Sequence, residues 1–292
     1  MDLEGATAVT RPEKEEQVHS MIVEHRSLLD ALLPALLEAG RIEMRYFSAN
    51  VTVERKSDRS PVTAADREAE AVLLAALARV APEVPVVAEE ASAAGIVPET
   101  DGTFFLVDPL DGTREFIEGR PEFTINIGLI RDRKPVWGVV YAPASGRLFA
   151  TLAASEAGET LIAPDAPSEV LAGLTWQPIR ARVADPEGLV AVESFSHRSA
   201  ETDDVLKGYK VSETRRAGSS LKFCLIARGE VDFYPRIGPT SEWDTAAAQA
   251  VLEAAGGSVL TLQGEPLGYG KAPKYLNPYF IAWGANVVPS AV

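Results

Sequence analysis

From residue 19 to 47 apolar side chains recur at helical spacing, with Ile22, Leu29, Leu32, Leu33, Leu36, Leu37 and Ile42 forming a stripe, which predicts an amphipathic helix. Pro34 lies inside that stretch and predicts a kink or a break, because proline offers no N–H and its ring crowds the preceding turn. Residues 51–53, Val-Thr-Val, have strand character, and an Ala- and Leu-rich run over 64–80 predicts a second helix ending before Pro82. Short apolar runs bounded by Gly, Pro or Asp-Gly then follow closely, predicting strands at 84–87, 103–107, 123–130, 135–141 and 147–152. Beyond them the pattern alternates: strand 189–192, helix 219–228, strand 231–234, helix 242–255 stopped by Gly256-Gly257, and strand 279–283. Strands gathered early and alternating elements later imply an α+β half joined to an α/β half in layers. Residues 1–18 lack periodicity and read as a flexible tail. Residues 19–287 read as one domain, with halves of about 19–155 and 156–287.

Composition changes this picture little and charge changes it more. The 292 residues are 46% hydrophobic and 24% charged, as in ordinary globular proteins. A formal net charge of −14 argues against a nucleic-acid binder with a basic surface. It leaves room for a small phosphorylated substrate, since bound cations reverse the field locally. The single cysteine, Cys224, sits in an apolar run and reads as a buried structural thiol in a reducing compartment. The first twenty residues hold no apolar signal segment, and no uncharged stretch approaches the ~20 residues of a membrane span. A cytoplasmic protein without an integral membrane segment is expected. Peripheral attachment to the inner face of the cell membrane and the oligomeric state are left open.

Four acidic clusters carry the candidate chemistry. Glu89-Glu90 closes the apolar run 85–88, and Asp108-Pro109-Leu110-Asp111-Gly112-Thr113 follows the run 104–107. Asp244 lies before an Ala-rich helix, and Asp66 follows Pro61-Val62-Thr63. Taken singly, each has a plainer reading as a helix cap, a solvated strand end or a surface charge. Taken together they offer more. Two carboxylates three residues apart on a turn can face one cleft, and hard cations such as magnesium take oxygen ligands. A helix opening near Gly112-Thr113 would aim N–H groups at a phosphate. Ser219 and Lys222 share one side of a predicted helix, and Arg236 follows a strand, so these could clamp a second phosphate or a base.

The order Glu-Glu, Asp-Pro-Leu-Asp-Gly-Thr, then Trp-Asp before an Ala-rich helix resembles the inositol monophosphatase superfamily of magnesium-dependent, lithium-sensitive phosphatases. The resemblance spans residues 20–285. Arg114-Glu115-Phe116 after Gly112-Thr113, together with the stretches 218–224 and 234–240, is similar to the superfamily's bisphosphate nucleotidase branch. The resemblance implies a layered αβαβα sandwich of the sugar-phosphatase type. It implies two or three magnesium ions per site and inhibition by lithium. Glu89, Asp108 and the Leu110 carbonyl would hold the first ion. Asp108, Asp111 and Asp244 would hold the second, and Glu90 a further hydrated ion or the surrounding shell. Gly112 and Thr113 would bind the departing phosphate, and Thr113 with Asp66 would help activate the attacking water. His197 would contact the adenine.

The implied reaction removes the 3′-phosphate of adenosine 3′,5′-bisphosphate, with its sulfate-carrying analogue as a second substrate, within sulfate assimilation. An inositol or fructose-bisphosphate phosphatase on the same fold is the alternative enzyme. A non-catalytic metal- or nucleotide-binding regulator is the alternative of another kind, and the Asp66–Thr113 pair weighs against it.

Overall fold

The computed structural model describes residues 25–47, 54–55, 61–195 and 199–285. In chain order the first elements are α1 (His25–Phe47), β1 (Glu54–Arg55), β2 (Pro61–Val62), α2 (Ala64–Val80), β3 (Val86–Ala88), α3 (Glu89–Ala93), β4 (Thr103–Asp111) and α4 (Thr113–Ile117). A run of strands follows: β5 (Thr124–Arg131), β6 (Lys134–Ala142), β7 (Arg147–Ala153), β8 (Glu156–Leu161) and β9 (Gln177–Ile179). The remainder is β10 (Leu189–Ser194), α5 (Ala200–Lys207), β11 (Val211–Ala217), α6 (Leu221–Ala227), β12 (Phe233–Arg236), α7 (Ala246–Ala254), β13 (Ser258–Thr261) and β14 (Phe280–Trp283). The predicted tail, Ile22, the 51–53 strand and His197 lie outside the described residues.

Strands β3 to β9 form one sheet in sequence order, with β3 parallel to β4 and every later pair antiparallel. The second sheet runs β11-β10-β12-β14-β13; its first three strands are parallel, and β14 and β13 complete it in antiparallel fashion. Leu29, Leu36 and Leu73 of α1 and α2 pack on Phe105, Ile127 and Val139 of the first sheet. On that sheet's other face, Val140 and Phe149 meet Phe223 and Val251 of α6 and α7, which in turn meet Tyr234 and Ala282 of the second sheet. Val205 and Leu206 of α5 cover the far face, against Phe233 and Trp283. The expected αβαβα layering is therefore present.

α7 lies between two sheets and is buried along nearly its whole length, as a helix apolar on every side must be. It sits on β5 and β6 at backbone contact. Gly128 and Gly138 face each other across the ladder, and a Cβ on Gly138 would fall 2.2 Å from the Ala247 carbonyl oxygen. That contact seats the start of α7, and the turn before it, over the centre of the first sheet.

Among the helices, the absence of a break at Pro34 and two start positions differ from expectation. α1 runs unbroken through Pro34. Pro34 and Asp30, whose carbonyl the proline leaves unbonded, are both exposed, so water can satisfy that group. α6 starts at Leu221 rather than 219, because Ser219 takes a positive φ of 46° in the preceding turn. α7 starts at Ala246 rather than 242, because residues 242–245 form a turn of their own, closed by the Thr245 N–H on the Glu242 carbonyl at 3.2 Å.

Candidate active site

Asp108 and Asp111 do not follow the strand; they belong to it. β4 continues through Asp111, and its ladder with β5 pairs Asp108 with Asn126 and Asp111 with Thr124, so β4 carries one extra residue between them. Such a bulge re-aims side chains that alternation would place on opposite faces. The Asp108 carboxylate is buried and accepts the Leu110 N–H at 3.0 Å. Gly112 then turns the chain with φ of 94°, a conformation that favours glycine, and a Cβ there would meet the Glu122 carbonyl at 3.1 Å. Thr113 opens α4 immediately afterwards.

Asp66 is no surface residue. It is 1% exposed and completes a capping box at the start of α2, where one oxygen accepts the Thr63 N–H at 2.8 Å and the Thr63 hydroxyl at 2.6 Å. Its other oxygen faces the Thr113 hydroxyl at 3.4 Å, which also lies 3.2 Å from the Leu110 carbonyl oxygen. The structure thus brings Asp66, Thr113 and Leu110 together. One turn further along α2, Glu70 caps α3: its carboxylate accepts the Glu90 N–H at 2.7 Å and the Ala91 N–H at 2.8 Å. Glu70 escaped the sequence reading, although its spacing of four from Asp66 places both on one helix face. It fixes where Glu89 and Glu90 stand, at the end of β3 beside β4.

Asp244 stands on the turn before α7, where its carboxylate accepts the Thr240 hydroxyl at 2.6 Å and the Ser241 N–H at 2.9 Å. A buried amide joins this turn to the first sheet. Asn126 reaches Asp111 at 3.3 Å and donates to the Ser220 hydroxyl at 3.0 Å, and Ser220 donates to the Asp244 carbonyl at 2.7 Å. The turn is braced from behind by Glu242, which is fully buried and accepts the N–H groups of Gly270 and Lys271 at 2.8 Å each. Asn126, Ser220 and Glu242 also went unnoticed in the sequence, since no local pattern marks them.

The cluster is electrostatically strained. Burial, then the charges of Glu89, Asp111 and Asp244, push the Asp108 carboxyl well above its ordinary range. Burial and Asp244 push Asp111 up to about 6, against Lys222 and Ser220, which hold it down. Among the described residues no three acidic, His or Cys side chains are drawn together as a ready-made ligand set. The carboxylates also accept from neighbouring protein donors: Asp108 from Leu110, Asp111 from Asn126, Asp244 from Thr240 and Ser241. The available donors, carboxylates and one peptide carbonyl, are hard oxygens, and their mutual repulsion is what a divalent cation would relieve.

The predicted cationic residues behave differently from one another. Lys222 is buried, its ammonium donating to the Ser219 carbonyl at 2.5 Å and lying 5.2 Å from the centre of the Tyr234 ring. Burial lowers it to about 8, although Asp111, Glu115 and Asp244 favour its charge. It therefore stands among the carboxylates rather than apart from them. Arg236, at the end of β12, is half-buried and donates to the Pro239 carbonyl at 2.5 Å. Ser219 precedes α6 and lies against Gly112, 3.3 Å from where a Cβ there would be. Cys224 is buried and burial drives its thiol up, as a structural residue requires.

A five-layered sandwich with carboxylates gathered where strand ends meet helix starts defines a phosphatase of the sugar-phosphatase architecture. The chain belongs to the inositol monophosphatase family, whose family profile matches residues 24–285. It is 40% identical over 255 residues to the 3′(2′),5′-bisphosphate nucleotidase CysQ of Escherichia coli K12, covering 87% of this chain and 98% of that one. The protein of the same name from Shigella flexneri is 39% identical over 262 residues, covering 87% and 98%. Among solved structures, CysQ from Bacteroides thetaiotaomicron, described as a bacterial member of the inositol monophosphatase family, superposes with a TM-score of 0.71 at 33% identity, covering 88% and 97%. No described helix is long and apolar enough to cross a membrane.

Proposed function

We propose that this chain is a magnesium-dependent 3′(2′),5′-bisphosphate nucleotidase that hydrolyses the 3′-phosphate of adenosine 3′,5′-bisphosphate to give AMP and phosphate. The relatives named CysQ, matched over nearly their whole length, support the substrate. The observation that carries the chemistry is the joining of the β4 carboxylates to the Asp66–Thr113–Leu110 contact and, through Asn126 and Ser220, to the Asp244 turn, a set of hard oxygens that favours cations. Glu89, Asp108 and the Leu110 carbonyl are the donors for a first magnesium. Asp108, Asp111 and Asp244 are those for a second, with Glu90 beside them. Bound there, magnesium would supply charge against the phosphoryl oxygens and acidify a water.

The chain's own residues do the rest. Thr113, its hydroxyl between Asp66 and the Leu110 carbonyl, orients the attacking water and passes its proton towards Asp66. Gly112 lets the backbone of α4's first turn come close to the phosphate. Lys222 offsets part of the carboxylate charge, and Ser219, Arg236 and His197 are assigned to the remainder of the nucleotide. The sulfate-carrying analogue is a second substrate, and a cytoplasmic role in sulfate assimilation is the setting proposed for both.

Phosphate release from adenosine 3′,5′-bisphosphate, inositol 1-phosphate and fructose 1,6-bisphosphate, with and without magnesium, tests this reading. The adenosine bisphosphate should be preferred, turnover should vanish with chelator, and lithium should inhibit. Preference for either sugar phosphate would move the assignment to that activity on the same fold.

A further inference from the structure

Two side chains of β5 stand beside the acids with polar atoms unused. Thr124 and Asn126 are fully buried, yet the Thr124 hydroxyl and the Asn126 carbonyl oxygen have no hydrogen-bond partner among the described residues. Buried polar atoms are rarely left so, because each forfeits its hydration without a return. Alternation along β5 puts both side chains on one face. Ile125 and Ile127 pack with α1 and α2, while Gly128 lies against Ala246 and Ala247 of α7. In the ladder Thr124 stands opposite Asp111, and Asn126 opposite Asp108.

The other half of the Asn126 amide is fully used. Its N–H groups reach Asp111 at 3.3 Å and the Ser220 hydroxyl at 3.0 Å, and Ser220 donates onward to the Asp244 carbonyl at 2.7 Å. Neither partner donates back, since Asp111 accepts and the Ser220 proton is committed to Asp244. The amide's orientation is therefore set by its partners, and its carbonyl oxygen remains a free acceptor.

We infer that Asn126 and Thr124 are positioning residues for the cation assigned to Asp111 and Asp244: Asn126 ties those two acids together through Ser220, and the two unused oxygens bind water carried by the ion. The inference rests on the metal reading given above. Hydrated magnesium suits the place, because it keeps several of its waters and those waters need acceptors beyond the ligands themselves. Both oxygens are neutral, so they add no charge to carboxylates that already repel one another.

The test is calorimetric titration of the full chain with manganese, which shares magnesium's preference for oxygen ligands, beside thermal melts of the metal-free protein. Thr124→Val keeps the side-chain shape and removes the unused hydroxyl; it should weaken manganese severalfold while raising the metal-free Tm. Ser220→Ala should weaken manganese about tenfold and Asn126→Leu by more, up to about a hundredfold, the range usual for residues that orient a metal's ligands. The double variant should bind like Asn126→Leu alone, because the two residues form one chain of bonds; losses that multiply would overturn the bridge. A higher Tm in Thr124→Val with manganese binding intact would overturn the role of its hydroxyl. Ser220→Ala and Thr124→Val, each losing a single hydroxyl, decide the matter if Asn126→Leu does not fold. Wild-type manganese affinity in all the variants would overturn the inference and leave the metal reading standing; no binding by wild type would overturn both.

Discussion

Asp108 and Asp244 belong to one acidic cluster but are held in it by different means. Asp108 stands on a bulged inner strand of the seven-stranded sheet, and main-chain pairing with β5 fixes its direction. Asp244 stands on an irregular turn before α7, and its place depends on side chains, with Thr240 on its carboxylate, Ser220 on its carbonyl and Glu242 anchoring the turn from behind. One arm of the site is built by a local motif, the other by packing between distant segments. Substitutions in the first arm should therefore act on chemistry with little change in stability, and those in the second on both.

The largest effect is expected at Asp108. Asp108→Asn should abolish measurable phosphate release, and the metal-free variant should melt no lower than wild type, because a buried, repelled charge has been removed. A folded, active Asp108→Asn protein would end the metal assignment. Next, Thr113→Ala should reduce kcat by roughly 10²–10⁴, as for a lost proton-transfer partner, with magnesium affinity little changed. A large loss of magnesium binding at unaltered kcat would make Thr113 part of the metal site instead.

The cations sharpen the contrast between the arms. Arg236→Ala should raise KM for the adenosine bisphosphate about tenfold, since a charge-assisted hydrogen bond contributes roughly 1.5–3 kcal/mol, and should spare a simple phosphate monoester. Lys222→Ala should impair both substrates, because its ammonium lies among Asp111, Glu115 and Asp244. Paired kcat/KM measurements decide between shared and selective losses.

The smallest effect concerns pH. In the metal-free protein Asp111 is raised to about 6, so between its ordinary value of 3.8 and that point the folded state holds more protons than the unfolded chain. Stability from this group is present at low pH and is lost as pH rises through 6. The metal-free Tm should accordingly fall between pH 5 and 7, by an amount corresponding to about 1–2 kcal/mol, and magnesium should restore more at pH 7.5 than at pH 5. Thermal melts at several pH values with and without magnesium test this; a Tm gain from magnesium independent of pH would contradict it.

Sequence patterns mark the first arm. β3 before Glu89 and the first half of β4 are apolar runs, and the acidic motifs begin where those runs end. They missed what depends on distance in sequence. Asn126 reads as one polar residue in an apolar strand, and nothing nearby shows that it joins Asp111 to Ser220. β11, Val-Ser-Glu-Thr-Arg-Arg-Ala, is an edge strand whose middle residues are exposed, so it shows no apolar alternation to detect. The bulge in β4 was read as a turn because Pro109 and Gly112 carry turn chemistry, while its pairing with β5 is settled only by the sheet.

The glycine pair beneath α7 has a consequence for how such a chain can change over time. Because the Ala247 carbonyl would lie only 2.2 Å from a Cβ at Gly138, main-chain atoms rather than side chains set the gap between helix and sheet. Volume drift among Val139, Phe149 or Val251 then meets a fixed stop at this contact. Two positions that carry no functional group become the least replaceable spacers between α7 and the sheet.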